Sequence, residues 1–141
     1  KKKILLKYII LLYRKEQYKF MSKLGKPVSQ RQLRVGEMIK QALSMIFLRE
    51  ETKISDLDTK SITVTEVRMS PDLKTAKIFV IPLGGKDTEK VIDKLKEFSF
   101  VIRKVLSKKI VVKFMPKLFF VNDDSFDYAE KIENLIRQTQ K

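Results

Sequence analysis

The chain has 141 residues, the length of one domain, and its 31 Lys and Arg against 17 Asp and Glu give a net charge of +14 at pH 7. It has no Cys and no His, which excludes disulfides, thiol nucleophiles, Cys or His zinc sites and Ser-His-Asp triads. The charge favours a polyanionic partner, with nucleic acid as the first candidate and an anionic membrane surface as the second.

Residues 1–20 form a basic and apolar N-terminal extension. Its apolar run, residues 4–13, would span about 15 Å as a helix, which is half of a bilayer's hydrocarbon core and too short for a transmembrane helix. Lys7 interrupts the run and no small-x-small cleavage site follows, so a secretory signal is not favoured. A helix on a membrane surface is the alternative. Because an ordinary soluble pattern begins after Met21, we predict that Met21 is the natural start, that residues 1–20 lie upstream of it, and that residues 21–29 are a flexible lead-in.

The remainder of the chain, residues 30–138, is predicted to form one domain that begins with a helix. Ser29 and Gln32 have the spacing of a capping box, in which each side chain bonds the backbone of the other residue. Apolar residues then recur at three- and four-residue steps, which predicts a helix over residues 30–50 with one apolar face.

A β-hairpin is predicted next. Near-alternation of Thr, Val and Ile predicts strands over residues 61–69 and 75–82. The intervening Ser70-Pro71-Asp72-Leu73 has the composition of a tight turn, so the strands are expected to be antiparallel. Gly84 and Gly85 are expected to end the hairpin.

A long helix, an interrupted strand and a last helix complete the predicted order. Helical periodicity covers residues 87–109, which is long for one globular helix and therefore predicts a kink. Residues 110–114 and 118–121 predict a strand interrupted by Pro116, and a proline there suits an edge strand or a bulge. Residues 122–136 predict a turn, a helix cap and an amphipathic helix.

An acidic cluster that could hold a magnesium ion consists of Asp123, Asp124 and Asp127, whereas Glu50 and Glu51 are interpreted as a solvated helix end. The cluster lacks the spacing and the glycine of an EF-hand, and helix capping explains aspartates at this position. No P-loop or dinucleotide-binding motif is present. We therefore expect no enzyme activity, no metal and no cofactor, and metal-assisted hydrolysis is the least favoured hypothesis.

Basic residues concentrate where the long helix ends and the third strand begins. The candidates for phosphate contact there are Arg103, Lys104, Lys108, Lys109 and Lys113. Cations at the end of a helix are also favoured by the helix dipole alone. Arg31 and Arg34, at the start of the first helix, are weaker candidates. The phenylalanines that could stack on bases, unless they lie in the core, are Phe79, Phe114, Phe119 and Phe120.

Six short motifs occur in a fixed order along residues 31–136. They are Arg34-Val35, Leu48-Arg49-Glu50, the run over residues 62–77, Ile102-Arg103, Pro116-Lys117-Leu118 with Phe120, and Asp123 with Ser125. Together they resemble the ribosome-binding factor A family of bacterial ribosome-assembly proteins. The run over residues 62–77, which contains ITVTEV, SPDL and Ala76-Lys77, is the most specific part of the resemblance.

The resemblance implies an α+β, type II KH-like domain, with the order α-β-β-α-α-β and a C-terminal helix. In this fold a three-stranded sheet carries its helices on one face, and the two-helix junction with the adjoining strand faces the RNA. The implied function is binding of the small ribosomal subunit and its ribosomal RNA during late maturation. The resemblance also implies a cytoplasmic monomer without a catalytic activity, a cofactor or a small-molecule substrate.

The chain departs from the family's pattern at the kink. The family usually has Ala-x-Gly before the Ile-Arg pair, whereas this chain has Phe98, Ser99 and Phe100, which are the predicted kink positions. Without the glycine, a kink at Ser99 would rely on serine bonding its own backbone. The alternative function is a peripheral membrane or adaptor protein that acts through residues 1–20, although the sequence does not favour membrane contact by that segment.

Overall fold

The computed structural model describes residues 2–23, 28–83 and 87–140, which contain five α-helices, one short 3-10 helix (Thr59–Ser61) and three strands. The helices are α1 (Lys2–Lys23), α2 (Gln30–Leu48), α3 (Thr88–Glu97), α4 (Ser99–Ser107) and α5 (Ser125–Thr139). The strands are β1 (Ile62–Met69), β2 (Thr75–Pro82) and β3 (Lys117–Asn122). The chain divides into a sheet unit, Ser29–Asn122, and a helical unit formed by the segments on either side of it.

The predicted capping box begins α2. The Ser29 hydroxyl accepts the backbone N–H of Gln32 at 3.1 Å, and the Gln32 side-chain oxygen accepts the backbone N–H of Ser29 at 2.8 Å. The Gln32 amide nitrogen also donates to the Met69 carbonyl at 3.0 Å, which ties α2 to the end of β1. A Cβ on Gly36 would lie 2.7 Å from the Val67 carbonyl oxygen, which is too close for any side chain. Glycine at this position therefore allows α2 to pack closely on β1.

The sheet has the strand order β1-β2-β3, with β2 in the centre. β1 and β2 are antiparallel, as predicted, with Ile62 opposite Pro82 and Met69 opposite Ala76. β3 is parallel to β2 and begins with Lys117 opposite Thr75, so α3 and α4 form the crossover between them. This mixed three-stranded sheet with helices against one face confirms the α+β, KH-like fold class.

Side-chain hydrogen bonds stabilise the turn between β1 and β2. The Leu73 N–H donates to the Ser70 carbonyl at 2.9 Å, and Leu73 adopts a positive φ of 61°. The Asp72 carboxylate accepts the Ser70 hydroxyl at 2.6 Å and the Lys74 N–H at 3.0 Å, and these bonds lower its pKa. The predicted turn residues therefore form the turn, whereas Gly84 and Gly85, expected to end the hairpin, lie outside the described residues.

The predicted kink in the long helix is confirmed, and it lies at Phe98. Phe98 joins α3 to α4 with φ −99° and ψ 15°. Its N–H donates to the Lys94 carbonyl and its carbonyl accepts the Ile102 N–H, each at 3.0 Å, so the backbone stays hydrogen-bonded through the bend. Because φ is negative, the bend needs no glycine.

Residues 110–114 are not a strand, and that prediction is wrong. The Ile110 N–H donates to a carbonyl of the last turn of α4, so this residue completes the helix end instead of joining the sheet. The ladder begins after Pro116, at Lys117, whose N–H donates to the Lys74 carbonyl at 2.9 Å. Proline has no N–H to offer to a ladder, which explains why β3 cannot extend backwards through it.

The core of the sheet unit lies between the sheet and helices α2, α3 and α4. Alternate residues of each strand contribute to it, because successive side chains of a strand point to opposite faces. Its largest fully buried side chains include Ile39, Leu43, Phe47, Ile78, Leu95, Ile102, Leu106 and Phe120.

The helical unit consists of α1 packed on α5. Ile9, Ile10 and Ala129 form its buried apolar contact. The rings of Tyr13 and Tyr128 lie with centroids 4.6 Å apart, which adds an aromatic contact between the two helices. The C-terminal helix, which the sequence assigns to the domain of residues 30–138, is therefore in contact with the N-terminal extension.

The helix α1 continues through both Met21 and the predicted end of the extension at residue 20. The assignment of Met21 as the natural start stays a prediction, as does the flexible lead-in over residues 21–29, of which residues 24–27 lie outside the described part. Five large apolar side chains of α1 are exposed: Ile4, Leu5, Tyr8, Leu11 and Leu12. Among the described helices none has the length and apolar character needed to cross a membrane.

Candidate nucleic-acid interface

Two surface grooves of the sheet unit contain most of the predicted phosphate contacts. We call them the helix groove, along α4, and the turn groove, between the start of α2, the β1–β2 turn and residues 111–114. The helix groove has a volume of about 420 Å³ and the turn groove about 500 Å³. Arg103 and Lys104 line the first, and Arg31 and Lys113 line the second.

A stripe of three exposed side chains runs along α4, and its first two members, Phe100 and Lys104, line the helix groove. Phe100, Lys104 and Lys108 follow one another at four-residue intervals, which places them on one face of α4 and its last turn. They span about 12 Å along the helix axis. Phe100, at the kink, is 72 % exposed, an unusual position for a ring of this size. This α4 stripe therefore combines a surface that can stack on a base with two cations that can hold phosphates.

Arg103 has a structural role next to this stripe. Its Nε donates to the Pro116 carbonyl at 3.0 Å and its Nη2 donates to the Met115 carbonyl at 2.8 Å. The half-buried guanidinium thus fixes the wall of the helix groove against α4 and satisfies two carbonyls that precede β3. Direct contact of Arg103 with RNA stays a prediction.

Lys109 is paired with an acidic side chain. Its ammonium lies 3.2 Å from the Glu51 carboxylate, in the loop that follows α2. The carboxylate offsets the lysine's charge, so Lys109 offers less attraction to a phosphate than the exposed Lys108 beside it.

The turn groove holds cations together with one acid. The Lys113 ammonium lies 5.6 Å from the ring centroid of Phe114, whose side chain is 65 % exposed. Asp72 lies in the same groove, and its carboxylate, ionised at neutral pH like any exposed aspartate, offsets part of the charge of Arg31 and Lys113. Arg34 is exposed one turn further along α2. Because of the acid, the turn groove is a weaker anion site than the α4 stripe.

Two of the three predicted acidic residues, Asp123 and Asp124, make protein contacts within the helical unit. Asp123 lies 2.6 Å from the Arg14 guanidinium and accepts the Ser125 N–H at 3.0 Å, and Asp124 accepts the Tyr13 hydroxyl at 3.3 Å. Asp124 is the N-cap residue of α5 but its side chain makes no capping hydrogen bond, and the carboxylate that accepts the Ser125 N–H is that of Asp123. In the described residues no group of three or more carboxylates is placed to hold a metal ion.

The structure distinguishes two exposed aromatic residues, Phe100 and Phe119, of which the sequence offers only Phe119 as a stacking candidate. Phe100 is predicted from the sequence as a kink position and not as a contact residue, because helical periodicity does not reveal where a kink exposes a ring. Phe119 is 52 % exposed, whereas the adjacent Phe120 is fully buried. Strand alternation could have separated this pair, since neighbouring residues of one strand must face opposite sides. Phe79 is half-buried on the same face as Phe119.

The sequence and the fold both match known proteins. The model of the Ribosome-binding factor A family matches residues 31–136. Ribosome-binding factor A of Pelagibacter ubique (strain HTCC1062) is 69 % identical over 119 residues, which are 84 % of this chain and 98 % of that protein. The protein of the same name from Paramagnetospirillum magneticum is 42 % identical over 120 residues, 85 % of this chain and 84 % of that protein.

Two solved structures have a similar fold. The crystal structure of ribosome-binding factor A from Thermus thermophilus superposes with a TM-score of 0.54 at 19 % identity, covering 64 % of this chain and 94 % of that chain. The solution structure of a Thermotoga maritima protein gives a TM-score of 0.56 at 20 % identity, covering 69 % of this chain and 91 % of that chain. At these identities the likeness concerns the fold alone.

Proposed function

Because the chain belongs to the Ribosome-binding factor A family, we propose that it binds the small ribosomal subunit through its ribosomal RNA and assists late maturation of that subunit. The name of its relatives supports ribosome binding. The net charge of +14 supports RNA as the component that is bound, since RNA is the polyanion of the ribosome.

The α4 stripe is the observation that carries this proposal. Lys104 and Lys108 are exposed one turn apart on one helix face, about 6 Å along the helix axis, and Phe100 is exposed one turn before Lys104. Sequence-tolerant RNA surfaces combine these two elements, because lysines follow the phosphate chain while aromatic rings stack on unpaired bases. We therefore assign the α4 stripe as the principal RNA contact and the turn groove as a secondary one.

We further propose that the protein acts by binding alone, as a cytoplasmic monomer without a cofactor. The ionisable side chains of the α4 stripe are those of Lys104 and Lys108, and their ammonium groups can bind phosphates by charge and hydrogen bonds. Two carboxylates of the candidate metal cluster already have protein partners, since Asp123 pairs with Arg14 and Asp124 accepts the Tyr13 hydroxyl. Binding to ribosomal RNA is sufficient for such a role and needs no catalytic step.

Reversing the charge of the α4 stripe tests the proposal. We expect Lys104→Glu with Lys108→Glu to weaken binding to purified small ribosomal subunits about ten-fold or more at moderate salt. The dependence of log Kd on log salt should become shallower by about two, because two phosphate contacts are lost. Binding is measured by sedimentation with the subunits at a series of potassium chloride concentrations.

The matched control is Lys90→Glu with Lys96→Glu, which makes the same change of charge at two exposed positions of α3. We expect this variant to keep its affinity within about three-fold, since only the long-range charge differs. If the two variants lost the same amount of affinity, the effect would come from the net charge of the protein and the α4 stripe would not be the contact. A wild-type protein that does not sediment with the subunit would exclude the function itself.

The alternative function, attachment to a membrane surface through α1, is favoured by one observation, the exposed apolar side chains of this helix. This alternative predicts that the wild type floats with vesicles of anionic phospholipid and that Ile4→Glu with Leu11→Glu abolishes flotation. Affinity for ribosomal subunits should then stay unchanged. If the wild type does not float, this alternative is excluded.

A further inference from the structure

We propose that the open face of the β-sheet is a second RNA surface, on which an unpaired base stacks on Phe119 while Lys77 and Lys117 hold the adjacent phosphates. This surface is separate from the α4 stripe, because α4 packs with the other helices against the covered face of the same sheet. The proposal therefore goes beyond the function assigned to the α4 stripe, and it can fail while that assignment stands.

The strand register brings the three side chains together. Lys77 in β2 is directly opposite Phe119 in β3, and Lys117 lies two residues before Phe119 on the same strand and the same face. All three are exposed, with Phe119 at 52 %. Because β3 is an edge strand, the ring of Phe119 can be approached both from the open face and from the side of the sheet.

A second aromatic ring extends this surface but is already covered by cations. The Arg68 guanidinium lies 4.8 Å and the Lys77 ammonium 5.3 Å from the centroid of Phe79. Arg68 is also held by Glu66 at 3.3 Å, so its position on the face is fixed. Phe79 thus positions positive charge beside Phe119, and Phe119 is the ring that offers an open surface for stacking.

Charge complementarity favours RNA as the occupant of this face. Its described ionisable side chains are Arg68, Lys77 and Lys117 against Glu66 alone. An open ring with lysines on two sides matches one nucleotide of a single strand, with its base on the ring and its phosphates on the ammonium groups. A duplex keeps its bases stacked on each other and offers none to the ring, so we infer that the ligand is single-stranded.

The test uses the full chain and a fluorescein-labelled hexauridylate as the probe, with binding followed by fluorescence anisotropy. We expect Phe119→Ala to weaken binding about five- to 100-fold, as is typical of losing one stacked base, and Phe119→Trp to preserve it. An RNA duplex of six base pairs should bind both variants and the wild type equally well. Lys77→Glu with Lys117→Glu should weaken hexauridylate binding and make its salt dependence shallower.

Three results would overturn the proposal. They are a wild type that does not bind the hexauridylate, a Phe119→Ala variant that binds it as the wild type does, and a loss on Phe119→Ala that is equal for the duplex. The variant Lys104→Glu with Lys108→Glu separates this proposal from the previous one. We expect that variant to lose its affinity for ribosomal subunits but to keep the part of its hexauridylate affinity that Phe119→Ala removes, and a complete loss of both would place the oligonucleotide on the α4 stripe instead.

Discussion

Phe120→Ala is expected to lower the free energy of unfolding by about 3–5 kcal/mol, the usual cost of removing a buried phenylalanine side chain. Phe120 is fully buried in β3, and its ring centroid lies 6.5 Å from that of Phe47 in α2. The substitution leaves a cavity between the sheet and the helices, which a close-packed core cannot collapse to fill. Urea unfolding followed by circular dichroism measures the loss as a lower transition midpoint.

The neighbouring Phe119→Ala is the matched control, because it removes the same ring from the same strand. Its ring faces the open side of the sheet, so we expect a loss of no more than about 1 kcal/mol, as for most exposed sites. This small loss would also show that the variant remains folded in the RNA-binding test. Similar losses in the two variants would contradict the assignment of the two rings to opposite faces.

Arg103→Ala is expected to lower the free energy of unfolding by about 2–4 kcal/mol, because each hydrogen bond from a charged group contributes about 1.5–3 kcal/mol and the two bonds here are coupled. The substitution removes the guanidinium that donates hydrogen bonds to the carbonyls of Met115 and Pro116. The segment before β3 should then detach from α4. Hydrogen exchange of the backbone amides at the start of β3 should accelerate along with the lower urea midpoint.

The variant Arg103→Lys tests whether the two hydrogen bonds of Arg103 or only its positive charge stabilises the fold. Lysine keeps the positive charge but cannot donate to two carbonyls in the fork geometry of arginine, so we expect only a partial recovery of stability. Lys104→Ala, at the adjacent exposed position, should leave the urea midpoint unchanged. If Arg103→Lys were as stable as the wild type, the two guanidinium hydrogen bonds would not be what holds Met115 and Pro116 against α4.

Elements whose signals are local could be predicted from the sequence. The capping box of Ser29 and Gln32 involves residues three apart, and the turn from Ser70 to Leu73 contains its own hydrogen bonds. The kink was predicted from helix length. It lies at Phe98 because this residue can take up the bend with an ordinary negative φ while its neighbours remain hydrogen-bonded.

Features that depend on distant contacts could not be predicted. Residues 110–114 have the β-branched composition of a strand, yet the Ile110 N–H bonds back to α4 and Arg103 holds the carbonyls of the following Met115 and Pro116, so the ladder begins only at Lys117. The sequence placed five cations in one cluster, but it could not show that Arg103 bonds carbonyls and that Lys109 pairs with Glu51, since these partners lie far along the chain. Composition therefore located the region of the candidate site, while the exposed lysines of α4 became identifiable only in the structure.

The central position of β2 has a consequence for the newly made chain. β2 can pair with β1 as soon as both have been synthesised, but its other edge must wait for β3, which follows α3 and α4 in sequence. At a synthesis rate of about 5–20 residues per second, the 34 intervening residues and the six residues of β3 take about 2–8 s. During that interval the nascent hairpin presents an unpaired apolar edge, which is a template for aggregation with other nascent chains. We expect early chaperone contact or slow translation after residue 82 to influence the yield of folded protein more than changes in the helical unit do.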